Sequence, residues 1–118
     1  PAPKRLKAWV RQLAETKRRK VMDDQEMFAV YSAVTAEAHD VVAQHIAHMH
    51  DDLTEILRDG AKAGDWSLKS VDAAAALVLN GTSRFHHPAI VQLDGGRSDL
   101  KELDALVDVL IAGLQARS

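Results

Sequence analysis

The chain has 118 residues, 47% of them hydrophobic and 27% charged, the composition of an ordinary globular domain with one modest core. It contains no cysteine, which excludes disulfides and thiolate metal sites. No apolar run approaches the ~18 residues that a membrane-spanning helix needs. These features lead us to expect a cytoplasmic protein that does not contact a membrane.

The net charge of −2 is unevenly distributed, because residues 1–20 carry eight Lys/Arg and one Glu. Such a basic segment is either a solvated helix face or a surface for nucleic acid. No interleaved aromatic residues and no groove-reading motif accompany it. We therefore favour the solvated helix face.

Two helices are predicted in the first third of the chain. The first begins at about Lys4 and extends to Lys20, and its apolar stripe consists of Leu6, Trp9, Val10 and Leu13. Asp23 and Glu26 then have capping-box spacing, which predicts the start of a second helix. One face of that helix would carry Met27, Phe28, Tyr31, Val34, Thr35 and Ala38.

The longest continuous helical pattern lies between Thr35 and Trp66. Its apolar residues recur at spacings of three and four, which places them on one side of a helix: Val42, Ile46, Met49, Leu53 and Ile56. Gly60 and Gly64 are expected to break its last turn. We predict that this helix is central, that the others pack against it and that it lines any internal pocket.

The second half of the chain predicts two further helices. Ser70 is a plausible N-cap for a helix from Val71 to about His87, which Pro88 ends because proline disfavours helical geometry in the residue before it. Residues 94–98 read as a turn. Asp99 and Glu102 repeat the capping-box spacing and predict the start of a last helix. That helix has two apolar flanks, so it needs more than one surface to bury them. With no period-two alternation anywhere, the fold class is all-α with about five helices.

Histidines are the most conspicuous candidates for chemistry. His45 and His48 lie three residues apart, and His48 and Asp52 lie four apart, so either pair could present two ligands on one helix face. His86 and His87 form a second group at a helix C-terminus. Neither group has evident third and fourth ligands, and no HExxH or Cys/His motif is present. We predict no metal site and no cofactor; a helical metal-binding or small-molecule carrier protein using these histidines is the alternative.

Polar residues beside apolar faces are the candidates for ligand binding. They are Tyr31, Thr35, His45 and Asn80. Each either satisfies a neighbouring polar group or helps to orient a small molecule in a mostly apolar pocket. The predicted walls of that pocket are Trp9, Leu13, Phe28, Val42, Ile46 and Met49. No GxSxG, phosphate loop, cysteine nucleophile or distinct carboxylate pair is present, so we predict no catalytic residues and no enzyme.

The order of these elements resembles the C-terminal, effector-binding and dimerisation half of TetR-family (tetracycline-repressor-like) transcriptional regulators. The first matching segment, at 27–66, is a long helix that ends in a Gly-x-x-x-Gly-Asp turn. The second, at 71–91, contains the sequence Arg-Phe-His-His-Pro. The third, at 99–114, is a Leu-rich helix with Gly-Leu near its end.

The resemblance implies a homodimer in which helices 71–88 and 99–116 pair with their symmetry mates in a four-helix bundle. The predicted interface residues are Leu77, Gly81, Phe85, Leu100, Leu103, Val107, Leu110, Ile111 and Leu114. It also implies a small, unidentified apolar effector that binds among the earlier helices. In this family the effector controls DNA binding by an N-terminal helix-turn-helix domain. That pattern is absent here, so we expect residues 1–118 to be a single sensing and dimerisation domain that acts on DNA through a domain outside this chain.

Overall fold

The computed structural model describes residues 1–23, 39–94 and 99–116. Regular structure within these ranges is helical and includes no strand, which confirms the all-α prediction. The helices are α1 (Ala2–Asp23), α2 (His39–Ala63), α3 (Val71–Gly81), α4 (Ser83–His86), α5 (Pro88–Asp94) and α6 (Leu100–Ala116). None of these helices is long and apolar enough to cross a membrane. The capping box predicted at Asp23 and Glu26 extends outside the described residues, and α1 itself continues to Asp23.

Helix α1, rather than the long helix α2, is the element around which the others are arranged. It packs against α2, α4, α5 and α6, whereas the main contacts of α2 are with α1 and α3. The physical reason is the extent of each apolar stripe. Helix α1 buries side chains from Ala2 to Val21, while the first buried hydrophobic residue among the described side chains of α2, from Ala43 onwards, is Leu53. The prediction of α2 as the central helix is therefore wrong for the described residues.

The end of α2 shows why two glycines stand there. Gly64 has φ of +83°, and the Asp65 N–H donates to the Gly60 carbonyl at 2.8 Å while the Gly64 N–H donates to that of Ala61 at 3.3 Å. This is the Schellman arrangement, which favours glycine at the left-handed position. The predicted break at Gly64 is correct, but the helix continues through Gly60. There the missing side chain makes room for the Trp66 ring.

The segment predicted as one helix from Val71 to His87 is divided. Ser70 caps α3 as expected, with its Oγ accepting the Ala73 N–H at 3.1 Å. The helix then ends at Gly81, and the buried Thr82 hydroxyl donates to the Val78 carbonyl at 2.8 Å. Pro88 ends the pattern as predicted, yet it also begins α5, where the missing N–H of a first helical residue costs no hydrogen bond.

The last helix, α6, lies against α1. The Asp99 carboxylate caps it by accepting the Lys101 N–H at 2.8 Å. Surface ion pairs then join the two helices: Lys7 with Asp108 at 2.9 Å and Arg11 with Asp104 at 2.6 Å. Lys7 and Arg11 of α1 are thus paired with carboxylates of the same chain.

Candidate functional site

An open groove lies between the first half of α1 and the second half of α2. Its volume is about 430 Å³, and its lining residues are Arg5, Ala8, Trp9, Gln12, Asp52, Glu55 and Ile56. Of the predicted pocket residues that the structure describes, Trp9 alone belongs to this lining. The groove is open to solvent and carries both signs of charge, so it differs from the enclosed apolar pocket that the sequence predicts.

The other predicted pocket residues are placed less uniformly. Phe28, Tyr31 and Thr35 lie outside the described residues, as does the side chain of Val42. Leu13 of α1 and Met49 of α2 are half-buried, while Ile46 is 51% exposed. Ile46 lies two turns before the buried Leu53 on the same face of α2, so apolar surface is left open at the start of this helix.

Asn80 is separate from that group. It is exposed on α3, on the side opposite the buried Ala74, Ala75 and Val78. Its carbonyl accepts the Ser83 hydroxyl at 3.0 Å. This position gives the Asn80 backbone a role in the turn after α3.

A pair of basic side chains joins α1 to the start of α2. Lys17 Nζ lies 2.6 Å from His45 Nε2, a contact in which the ammonium group donates to the neutral imidazole. Burial lowers the pKa of Lys17, and the nearby Lys20 lowers it further. The pKa of His45 is lowered by burial first and then by the positive charge of Lys17.

Lys17 is the residue of this site that the sequence analysis missed. It lies three residues after Ala14 and four before Val21, two buried residues of α1, and this spacing places it on the core-facing stripe. That spacing is readable from the sequence. Lys17 was assigned to solvent because it begins the basic run Lys-Arg-Arg-Lys.

His86 contributes a buried, neutral imidazole beside this pair. It is 6% exposed, and its Nε2 lies 2.9 Å from Thr82 Oγ1. Because the Thr82 hydroxyl donates its proton to Val78, the imidazole N–H is the donor to Thr82. Burial lowers the pKa of His86 to about 4, and the charges of His87, Lys17 and His45 act in the same direction.

The histidines do not assemble a metal centre in the described part of the chain. No three His, Asp or Glu side chains there are grouped as ligands of one ion. His50 Nε2 lies 3.3 Å from the Asp72 carbonyl and so links α2 to α3. The metal-binding alternative gains no support from these residues.

The predicted dimer-interface residues fall into two groups. Four are buried in the chain's own core, namely Phe85, Leu103, Val107 and Leu114. They have almost no accessible surface to offer a partner, so we revise the prediction for these four. The others are half-buried or exposed: Leu77, Gly81, Leu100, Leu110 and Ile111. The spacing of apolar residues in the last helix does not indicate which of its two flanks packs against the rest of the same chain.

The outer sides of α3 and α6 form a surface that we name the α3–α6 face. It consists of Leu77, Gly81, Leu106, Val109, Leu110 and Gly113. The two helices meet at Gly81, where an added Cβ would lie 3.8 Å from Leu110 Cδ2. Leu77 is 51% exposed and Val109 is 68% exposed, and a Cβ on Gly113 would meet no atom within 4 Å. The face is therefore apolar and open.

The chain is similar to a known protein family. A family model described as "Tetracyclin repressor-like, C-terminal domain" covers residues 2–107. This range contains α1 to α5 and the first half of α6. The comparisons with curated proteins and with solved structures gave no significant match.

Proposed function

Because the chain belongs to the family of tetracycline-repressor-like C-terminal domains, we propose that it is the effector-sensing and homodimerisation domain of a transcriptional repressor. The family match over residues 2–107 is the observation that carries this proposal. The domain acts on DNA through a helix-turn-helix domain outside residues 1–118. It carries no enzymatic role in this function.

The α3–α6 face supports the dimerisation part of the proposal. Leu77 and Val109 expose large apolar side chains, and the glycines beside them permit a second helix pair to approach closely. Pairing this face with its symmetry mate makes a four-helix bundle. A stable interface of this kind buries roughly 1,200–2,000 Å² in total.

We place the effector at the end of the domain where the second half of α1 meets the first half of α2. Leu13, Ile46 and Met49 supply apolar surface there. Lys17 and His45 supply hydrogen-bonding groups at its edge. A largely apolar site with a few placed polar groups is the usual form of a small-molecule site.

The first test is the coding sequence directly upstream of the codon for Pro1. We expect it to encode two helices joined by a short turn, the helix-turn-helix pattern. The full-length product should bind operator DNA as a dimer, and a mobility-shift assay measures this. A start codon immediately before Pro1 would contradict the proposal and favour the alternative, a helical metal-binding or small-molecule carrier protein.

A further inference from the structure

Lys17 differs from three other basic residues of α1 in what it contacts. Arg5, Lys7 and Arg11 each form an ion pair with a carboxylate of α2 or α6. Lys17 is more buried than these surface groups and lies against an imidazole instead. No carboxylate is paired with it among the described residues. Its position on the core-facing stripe makes this a costly place for a positive charge without a counter-ion.

The surroundings of this pair are basic on every described helix that contributes to them. The titratable groups that act on one another there are Lys17 and Lys20 of α1, His45 and His48 of α2, His86 of α4 and His87 directly after it. Burial and mutual repulsion lower the pKa of Lys17, His45 and His86 alike. An anion placed among them would reverse this repulsion, because an opposite charge favours the protonated forms.

Apolar surface continues directly from the basic pair. Met49 lies one turn after His45 on the same side of α2 and is half-buried. Ile46 is 51% exposed on the stripe that leads to the buried Leu53. A ligand held at Lys17 and His45 would therefore extend along an apolar wall.

We propose that the effector is an amphipathic anion, whose carboxylate or phosphate head group binds between Lys17 and His45 and whose apolar tail lies along Ile46 and Met49. This inference rests on the proposed function and adds the chemical class of the effector. One oxygen of the head group accepts from the Lys17 ammonium group. The imidazole of His45, released from Lys17, takes up a proton and donates to a second oxygen. Charge-assisted hydrogen bonds of this kind are stronger than neutral ones.

The test is calorimetric titration of the 118-residue chain with three probes of equal chain length: decanoate, decyl phosphate and decanol. We expect at least one of the two anions to bind about tenfold or more tightly than decanol, and their ratio distinguishes a carboxylate site from a phosphate site. Lys17→Met keeps the aliphatic stem and removes the charge. It should weaken anion binding about ten- to hundredfold, the factor expected for loss of one charge-assisted hydrogen bond, and leave decanol binding unchanged.

Lys4→Met is the matched control, since Lys4 is an exposed lysine of the same helix. The Lys4→Met variant should bind all three probes as the wild-type chain does. A second readout is pH. Anion affinity should rise as the pH falls from 8 to 6, because binding raises the pKa of His45 and so takes up a proton. His45→Gln should remove this dependence, and His50→Gln, whose ring contacts the Asp72 carbonyl of α3 instead, should retain it.

Three results would overturn the inference: no anion binds, decanol binds as tightly as the anions, or Lys17→Met binds anions as Lys4→Met does. A thermal melt of Lys17→Met controls for folding and should match or exceed the wild-type melting temperature, since a partly buried charge is removed. Failure here would leave the proposed function standing. That function is judged by the upstream coding sequence and by DNA binding, neither of which depends on an anion.

Discussion

At the scale of single residues, the contact between Gly60 and Trp66 is the most sensitive to a small change. The Trp66 ring is 4% exposed, and its Nε1 donates to the Leu57 carbonyl at 2.8 Å. A Cβ added to Gly60 would overlap the ring and lie 2.6 Å from Nε1. We predict that Gly60→Ala lowers the free energy of unfolding by about 1–3 kcal/mol, the usual cost of overpacking, as measured by urea denaturation.

The control for this prediction is the same substitution beside a smaller ring. In a Trp66→Phe background, the fused-ring atoms that overlap the new methyl group are gone. The cost of Gly60→Ala should then shrink, because alanine has the higher helix propensity by up to about 1 kcal/mol. An equal cost in both backgrounds would show that the ring contact is not its cause.

His86 makes the stability of the domain depend on pH. Its pKa is about 4 in the folded chain and about 6.5 when unfolded. Between these values the unfolded chain binds the proton more readily, so stability rises with pH across this window and falls as the pH drops from 6.5 towards 4. We expect a loss of at most about 3 kcal/mol over this range, measured by denaturant unfolding at pH 7 and pH 4.5.

The variant that tests this assignment is His86→Gln, which keeps an N–H donor near Thr82 and removes the titrating ring. It should lose less stability than the wild-type chain between pH 7 and pH 4.5. His87→Gln, one residue on and exposed, should retain the wild-type loss. If the two variants lose the same amount, another group is responsible for the pH dependence.

At the scale of elements, what the sequence predicted well was decided by local chemistry. The N-cap at Ser70, the stop at Gly64 and the interruption at Pro88 each depend on a few neighbouring residues. The break at Thr82 was missed because Leu77, Gly81 and Phe85 keep helical spacing across it. Helix α1 was not recognised as central because its burial depends on four other elements that its own sequence does not identify.

Ser70 gives a test at this scale. Its hydroxyl accepts the Ala73 N–H and so satisfies one of the free donors at the start of α3. Ser70→Ala should lower the free energy of unfolding by about 1 kcal/mol. Ser67→Ala, in the exposed connection before it, should change it by less than about 0.5 kcal/mol. If urea denaturation gives equal effects for the two substitutions, the Ser70 cap does not stabilise α3.

At the scale of the whole molecule, the part of the chain that the structure describes is thin. Its extents are 45 × 31 × 17 Å, and the smallest of these corresponds to about two helix layers at 8–10 Å spacing. A body of two layers leaves many helices with one side on solvent, which is why the sequence pattern alone assigned core leucines of α6 to an interface. The pattern located the apolar flanks of α6 correctly. Only the packing of α6 on α1 shows that Leu103 and Val107 are buried while Val109 is exposed.

The α3–α6 face yields the prediction that best tests the domain as an assembly. Val109→Asp and Leu77→Asp place a charge on an exposed position, so the fold of one chain should be retained. In a symmetric dimer each charge is repeated across the interface and loses its hydration there. We expect both variants to sediment as monomers at micromolar concentration while the wild-type chain sediments as a dimer.

Two comparisons make this prediction specific to the face. Gln115→Asp adds the same charge to an exposed position on another side of α6 and should leave the dimer intact. The melting temperature of the wild-type chain should rise with concentration, because association stabilises the folded state by mass action, and that of Val109→Asp should not. A wild-type chain that stays monomeric, or a Val109→Asp variant that stays dimeric, would exclude this face as the interface and require a different apolar surface to hold the two copies together.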